Sequence, residues 1–219
     1  MITEINPTKQ IRWPKERLAN FTDSVFAFAI TLLVLNIMET YLPSGDKPLL
    51  PEIIKHLSIF ITYMLTFLIV SRFWISHTRL FALIREYDRT IIDLNVALLF
   101  FITLFPFVAV VLGNHTGNRD AVIMYAGCFV AIGIIEYLIG RHVYTNNLLI
   151  DNSNQDQTSL KVYTRYSLST PLIFVISIFI AFVSPWTAEF IWIFFFFIRQ
   201  AFRYFYRNNI KAEAEVERL

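Results

Sequence analysis

Six long apolar stretches, separated by short polar segments, constrain this chain of 219 residues more than any other feature. A helix needs roughly 20 apolar residues to cross the hydrocarbon core of a bilayer, at a rise of about 1.5 Å per residue. Each stretch has about that length, and together they cover residues 20–42, 57–77, 90–112, 120–140, 166–184 and 187–206. The sequence therefore predicts an all-α integral membrane protein with six transmembrane helices, and residues 1–219 form one membrane domain.

The composition excludes several other classes of protein. Apolar residues make up 56% of the chain and charged residues only 16%, whereas soluble domains carry about 25% charged residues. The single cysteine, Cys128, cannot form a disulfide within one chain. A net charge of +2 is too small and too dispersed to indicate a nucleic acid partner. The first twenty residues are polar, so we expect no cleavable signal peptide.

The distribution of basic residues predicts the orientation of the spans. If both termini are cytoplasmic, 16 of the 19 Lys and Arg residues lie inside, and only Lys47, Lys55 and Arg119 lie outside. This asymmetry follows the positive-inside rule and requires an even number of spans. We therefore expect a multi-pass protein of the plasma membrane with both ends in the cytoplasm.

The first apolar stretch carries a carboxylate near its start. A carboxylate within hydrocarbon costs about 2.5–3.5 kcal/mol even on insertion scales. Asp23 therefore needs a partner, or a place at the interface, where the positive end of the helix dipole favours it. At about 100° per residue, a separate stripe of this helix carries Ser24, Phe28, Thr31, Leu32 and Leu35. Spacing alone leaves open whether this stripe lines a pore, packs in a core or contacts lipid.

Residues 17–37 read RLANFTDSVFAFAITLLVLNI. Arg17, Phe21, Thr22 and Asp23, followed by VFAFAITLLVL, resemble the RxxxFSD signature, followed by VFAIAITLLVL, of the bacterial branch of the transmembrane protein 175 family of potassium channels. FWISHTRLF at 73–81 and DLN at 93–95 resemble further segments of that family. Two positions depart from its pattern: Thr22 replaces a serine but keeps the hydroxyl, and the larger Phe28 stands where Ile or Leu is usual.

The resemblance implies a homotetramer whose first helices surround a central pore that passes potassium ions. Carried over by position, the pore-lining residues are Phe28, Thr31, Leu32 and Leu35. The sequence contains no TVGYG loop, so a filter of carbonyl rings is not expected. A constriction of apolar side chains gates instead by dewetting, with modest selectivity for potassium over sodium. Glu39 is a candidate for an acidic ring at the outer mouth, or it faces lipid headgroups.

The resemblance also assigns a structural role to a set of polar residues. It implies a network that ties the first helix to later ones, comprising Arg17, Thr22, Asp23, His77 and Asn95. Trp74 is expected to act as an interfacial anchor. Gly133 and Gly140 share a face of the fourth span, which predicts close helix packing there.

Three other functions compete with the channel. An enzymatic function is not expected, because the sequence has no HxxxH pair and no GxSxG motif. We therefore expect no catalytic residue, cofactor or bound metal. A secondary transporter is the alternative, although it predicts repeated half-spans that the sequence does not show. A non-conducting membrane scaffold is the third possibility.

Overall fold

The structure is a computed structural model that describes residues 15–40, 49–148 and 167–192, together with a few single residues between 157 and 164. The secondary structure of these residues is helical and includes no β-sheet. The helices with complete bounds are α1 (Lys15–Thr40), α2 (Leu49–Lys55), α3 (Leu57–Leu83), α4 (Arg89–Asn114), α5 (Arg119–Thr145) and α6 (Ser169–Ala181). Residues 185–192 are also helical.

Four of the described helices are long and apolar enough to cross a membrane, namely α1, α3, α4 and α5. They coincide with the first four stretches identified in the sequence, which confirms an all-helical, multi-pass membrane protein. The fifth stretch corresponds to α6, which is shorter, with 13 residues. The sixth stretch, 187–206, lies outside the described residues beyond position 192.

Helix α4 lies at the centre of the described bundle, because it packs against α1, α3 and α5, while α5 packs against α6. Local caps fix where these helices begin. The side chain of Asp88 accepts a hydrogen bond from the backbone N–H of Ile91, and Asn118 accepts from the N–H groups of Asp120 and Ala121. Each cap satisfies donors that the first helical turn leaves unpaired.

Aromatic rings fill the core between α3, α4, α5 and α6. The ring of Phe129 lies 4.4 Å from that of Phe105 and 4.5 Å from that of Phe174, measured between centroids. Helices α5 and α6 approach closely where a Cβ atom on Gly133 would lie 2.5 Å from Cδ of Pro171. At Gly140, a Cβ atom would lie 2.9 Å from Oγ1 of Thr164. The close packing expected at these glycines is confirmed.

Candidate functional site on the first helix

A chain of hydrogen bonds joins α1 to α3 and α4. Asn95 of α4 is fully buried, and its Nδ2 donates to Oγ1 of Thr22 on α1 at 2.8 Å. Nε2 of His77 on α3 lies 2.9 Å from Oδ1 of Asn95. Because this amide oxygen can only accept, the imidazole donates from Nε2. The three buried polar side chains therefore satisfy one another where no water is available.

Two aromatic rings pack near the imidazole of His77. The ring of Phe81 stacks on it at 3.9 Å between centroids, and the ring of Phe26 lies at 5.9 Å. Close by, the indole Nε1 of Trp74 donates to Oδ1 of Asp23 at 2.8 Å. The carboxylate on α1 thus has a named partner on α3, and its side chain remains exposed rather than buried.

These contacts fix the rotation of α1 about its own axis. Thr22, Phe26, Ala29 and Leu33 lie on the side that faces the bundle, and all four are buried. At about 100° per residue, Thr31 lies about 180° from Thr22. Thr22, which the network holds, and Thr31 of the sequence-predicted stripe therefore point in opposite directions.

The side of α1 that faces away from the subunit carries the predicted pore-lining residues. Phe28 is 64% exposed and Leu35 is 47% exposed. Thr31 is also exposed, and its hydroxyl donates to the carbonyl of Phe28 at 2.8 Å, so that the lone pairs of the oxygen remain available to an outside ligand. Leu32 is only partly exposed, because it lies about 80° from Thr22, at the edge of this face.

Arg17 and Glu39 are the remaining residues that the sequence predicted to have a role. Arg17 is exposed and, among the described residues, makes no hydrogen bond to the chain of Thr22, Asn95 and His77. Glu39 belongs to the last turn of α1, but its side chain lies outside the described part of the structure. No cluster of His, Cys, Asp and Glu side chains suited to a metal ion occurs among the described residues.

The partnership of Trp74 with Asp23 was not predicted from the sequence. The signal was a spacing: Trp74 and His77 lie one turn apart on α3, and Thr22 and Asp23 are adjacent on α1. Two neighbouring residues of one helix are thereby positioned to meet two residues at i and i+3 of another. Trp74 is exposed, as expected of an anchor near the interface, but it also donates to a specific carboxylate.

We call the linked side chains of Thr22, Asp23, Trp74, His77 and Asn95 the polar anchor of α1. Membrane-length helices joined by such an anchor define a polytopic membrane protein. Comparisons with known proteins indicate which kind. A model of the family described as "Endosomal/lysosomal potassium channel TMEM175" matches residues 17–106. A potassium channel of Chamaesiphon minutus is 28% identical over 174 residues, which are 78% of this chain and 85% of that protein. The endosomal/lysosomal proton channel TMEM175 of Homo sapiens is 26% identical over 158 residues, but the match covers only 31% of its length.

Solved structures agree with these matches. The crystal structure of a lysosomal potassium-selective channel TMEM175 homolog from Chamaesiphon minutus superposes with a TM-score of 0.73 at 26% identity, covering 86% of this chain and 97% of that one. The potassium channel MtTMEM175 shares the fold, with a TM-score of 0.61 at 20% identity over 89% of this chain and 93% of that one. Residues 17–106 of the chain thus match the TMEM175 family model, and the similar proteins named above are channels and not enzymes.

Proposed function

We propose that this chain forms a potassium-permeable channel, in which the exposed face of α1 lines a central pore of a homotetramer. The observation that carries the proposal is the division of α1 into a buried, anchored side and an exposed side with Phe28, Thr31 and Leu35. A relative from Chamaesiphon minutus, similar over most of both chains, is a potassium channel.

The polar anchor has a defined task in this proposal. Rotation of α1 by one residue, about 100°, would replace Thr31 at the centre of the exposed face. The bonds from Asn95 to Thr22 and from Trp74 to Asp23 oppose that rotation. The proposed structural network therefore sets which side chains face the pore, although none of its members touches an ion.

The chemistry of the proposed pore follows from its side chains. Helix α1 is continuous over 26 residues, so its carbonyl groups are engaged in the helix and do not form a filter. Rings of Phe28, Leu32 and Leu35 would form an apolar constriction that conducts only when it widens enough to hold water. Thr31 supplies the fixed polar ring. Because potassium sheds water more readily than sodium, such a constriction favours potassium modestly.

The proposal includes the topology expected from the sequence. The six apolar stretches predict six spans in a single membrane domain. The positive-inside distribution of Lys and Arg then predicts that both termini are cytoplasmic, and a plasma membrane location is part of the same proposal. Glu39, at the opposite end of α1 from Asp23, is proposed to stand at the outer mouth, where a carboxylate ring concentrates cations.

The experiment is a potassium flux assay on purified protein in liposomes. We expect Leu35→Ala to raise flux, because a smaller side chain lowers the cost of hydrating the constriction. We expect Thr31→Val to lower flux, because it removes the polar ring without changing the shape of the side chain. Unitary currents in bilayers, rather than turnover that saturates with substrate, separate a channel from a secondary transporter.

Matched controls come from other exposed helix faces. Thr103 on α4 is exposed, and its hydroxyl donates to the carbonyl of Phe100 at 2.8 Å, which is the same geometry as at Thr31. Thr103→Val is therefore expected to leave flux unchanged, and Ile176→Ala on α6 serves in the same way for Leu35→Ala. Equal effects at the sites and at the controls would show that the pore face is assigned wrongly. A wild type that leaves potassium gradients intact would support a scaffold instead.

A further inference from the structure

We infer that the C-terminal end of α5 binds an anionic phospholipid, with its phosphate between Arg141 and Lys161 and an acyl chain along Leu138 and Ile134. This site lies on the outside of the bundle and does not depend on conduction by α1. Its chemistry is that of a phosphate diester carrying two hydrocarbon chains.

Two exposed cations, Arg141 and Lys161, lie near Tyr144 at the end of α5. The ammonium group of Lys161 lies 5.5 Å from the centre of the Tyr144 ring, a cation–π contact that positions the lysine beside α5. Arg141 is exposed one turn before Tyr144 on the same helix, so both side chains leave the same face of α5. Within the described part of the chain, neither Arg141 nor Lys161 forms an ion pair.

The neighbouring acidic groups are engaged elsewhere. Oδ2 of Asp88 lies 2.6 Å from Nε2 of His142, while its Oδ1 accepts from the N–H of Ile91. Glu86 lies 4.0 Å from Arg85. The described acids near the end of α5 are thus paired with other residues, and the positive charge of Arg141 and Lys161 is available to an anion.

The carbonyl groups at the end of α5 also have donors, which matters because a helix C-terminus is partly negative and repels anions. The hydroxyl of Thr145 donates to the carbonyl of Arg141. The side chain of Asn146 donates to the carbonyl of His142, and the N–H of Leu148 donates to that of Val143. These bonds leave little unpaired negative charge beneath the proposed phosphate.

A lipid, rather than a free phosphate, is favoured by the apolar surface that continues from these cations. Helix α5 has 27 residues, or about 40 Å, so its end reaches the headgroup region of a bilayer about 30 Å thick. Leu138 and Ile134 are exposed one and two turns before Arg141, in line with it at i−3 and i−7. Charge at the interface and apolar side chains below it match a phospholipid.

The test measures binding of phosphatidylglycerol to the full-length protein in detergent, by native mass spectrometry and by the rise in unfolding temperature. Phosphatidylcholine provides the zwitterionic comparison. Each basic residue near an anionic lipid surface contributes about fivefold in affinity. We therefore expect Arg141→Gln and Lys161→Gln each to weaken phosphatidylglycerol binding about fivefold, and the double variant about 25-fold, with phosphatidylcholine binding unchanged.

Two further variants distinguish the possible outcomes. Arg89→Gln is the matched control, since Arg89 is a highly exposed arginine that already lies 3.9 Å from Asp93, and it is expected to bind phosphatidylglycerol like the wild type. Leu138→Ser is expected to weaken phosphatidylglycerol binding, because it removes apolar contact. Equal losses in Arg89→Gln, or unchanged binding in the double variant, would overturn the site. Displacement of the lipid by millimolar inorganic phosphate, together with unchanged binding in Leu138→Ser, would assign the cations to free phosphate instead.

Discussion

Thr22→Val removes one oxygen from the anchor of α1 and preserves the shape of the side chain. Nδ2 of Asn95 then loses the acceptor that lies 2.8 Å away, and Asn95 is buried with 0% exposure. An orphaned buried donor costs about 1–3 kcal/mol, whereas hydrogen bonds measured within membrane bundles average about 0.6 kcal/mol and reach about 1.7 kcal/mol. We expect a loss of about 1–2 kcal/mol in the free energy of unfolding.

This loss is measurable as a lower unfolding temperature of the purified protein. For a chain of this size, each 1 kcal/mol lowers Tm by about 2–4 °C, so the expected decrease is about 2–8 °C. Potassium flux is also expected to change, because α1 becomes freer to rotate and Thr31 no longer has a fixed direction. Thermal unfolding and liposome flux are measured on the same preparations.

Thr66→Val is the matched control for this variant. Thr66 of α3 is also fully buried, and its hydroxyl lies 2.8 Å from that of Tyr125 on α5, so its side-chain bond joins α3 to α5 and not to α1. It is expected to lower Tm by a similar amount and to leave flux unchanged. An unaltered Tm and flux in Thr22→Val would refute the anchor, and equal flux losses in both variants would show that flux follows general stability.

Two other substitutions test the helix contacts. Trp74→Phe keeps an aromatic ring but removes the donor to Asp23, so we expect a loss of about 0.5–1.5 kcal/mol, detected by thermal unfolding. The loss is expected to disappear in an Asp23→Ala background, which lacks the acceptor, if the bond is the cause. Gly133→Ala is expected to cost about 1–3 kcal/mol, because the new Cβ would lie 2.5 Å from Cδ of Pro171. Gly127→Ala, where nothing lies within 4 Å, is expected to be neutral or slightly stabilising, and a similar loss there would contradict the packing argument.

Hydropathy predicted the first four spans well because each apolar stretch must form a helix to satisfy its backbone in a membrane. The starts of α4 and α5, at Arg89 and Arg119, fall within one residue of the sequence expectation. Other helix termini were predicted less accurately. Helix α1 begins at Lys15 and α5 continues to Thr145, because helical hydrogen bonds extend into the polar interface, where hydropathy no longer marks them.

The polar anchor was less accessible to sequence reasoning. Thr22 and Asn95 lie 73 positions apart, and no periodicity within one helix indicates a partner on another. His77 and Asn95 entered the hypothesis only through the resemblance to a family, and that resemblance did not indicate the bond from Trp74 to Asp23. The spacing of residues predicted the stripe on α1. It did not predict what the stripe contacts, because those neighbours lie outside one subunit.

Whether the exposed face of α1 borders water is therefore the decisive question. Cys128 is the single cysteine of the chain, so a Cys128→Ser background permits one new thiol at a time, at Thr31→Cys or, as the lipid-facing comparison, at Ile176→Cys. A charged, membrane-impermeant thiol reagent is applied while potassium current is recorded. The account predicts modification and block of current at position 31 and no reaction at position 176. Protection of position 31 from the charged reagent, with ready labelling by a lipid-soluble maleimide, would contradict it.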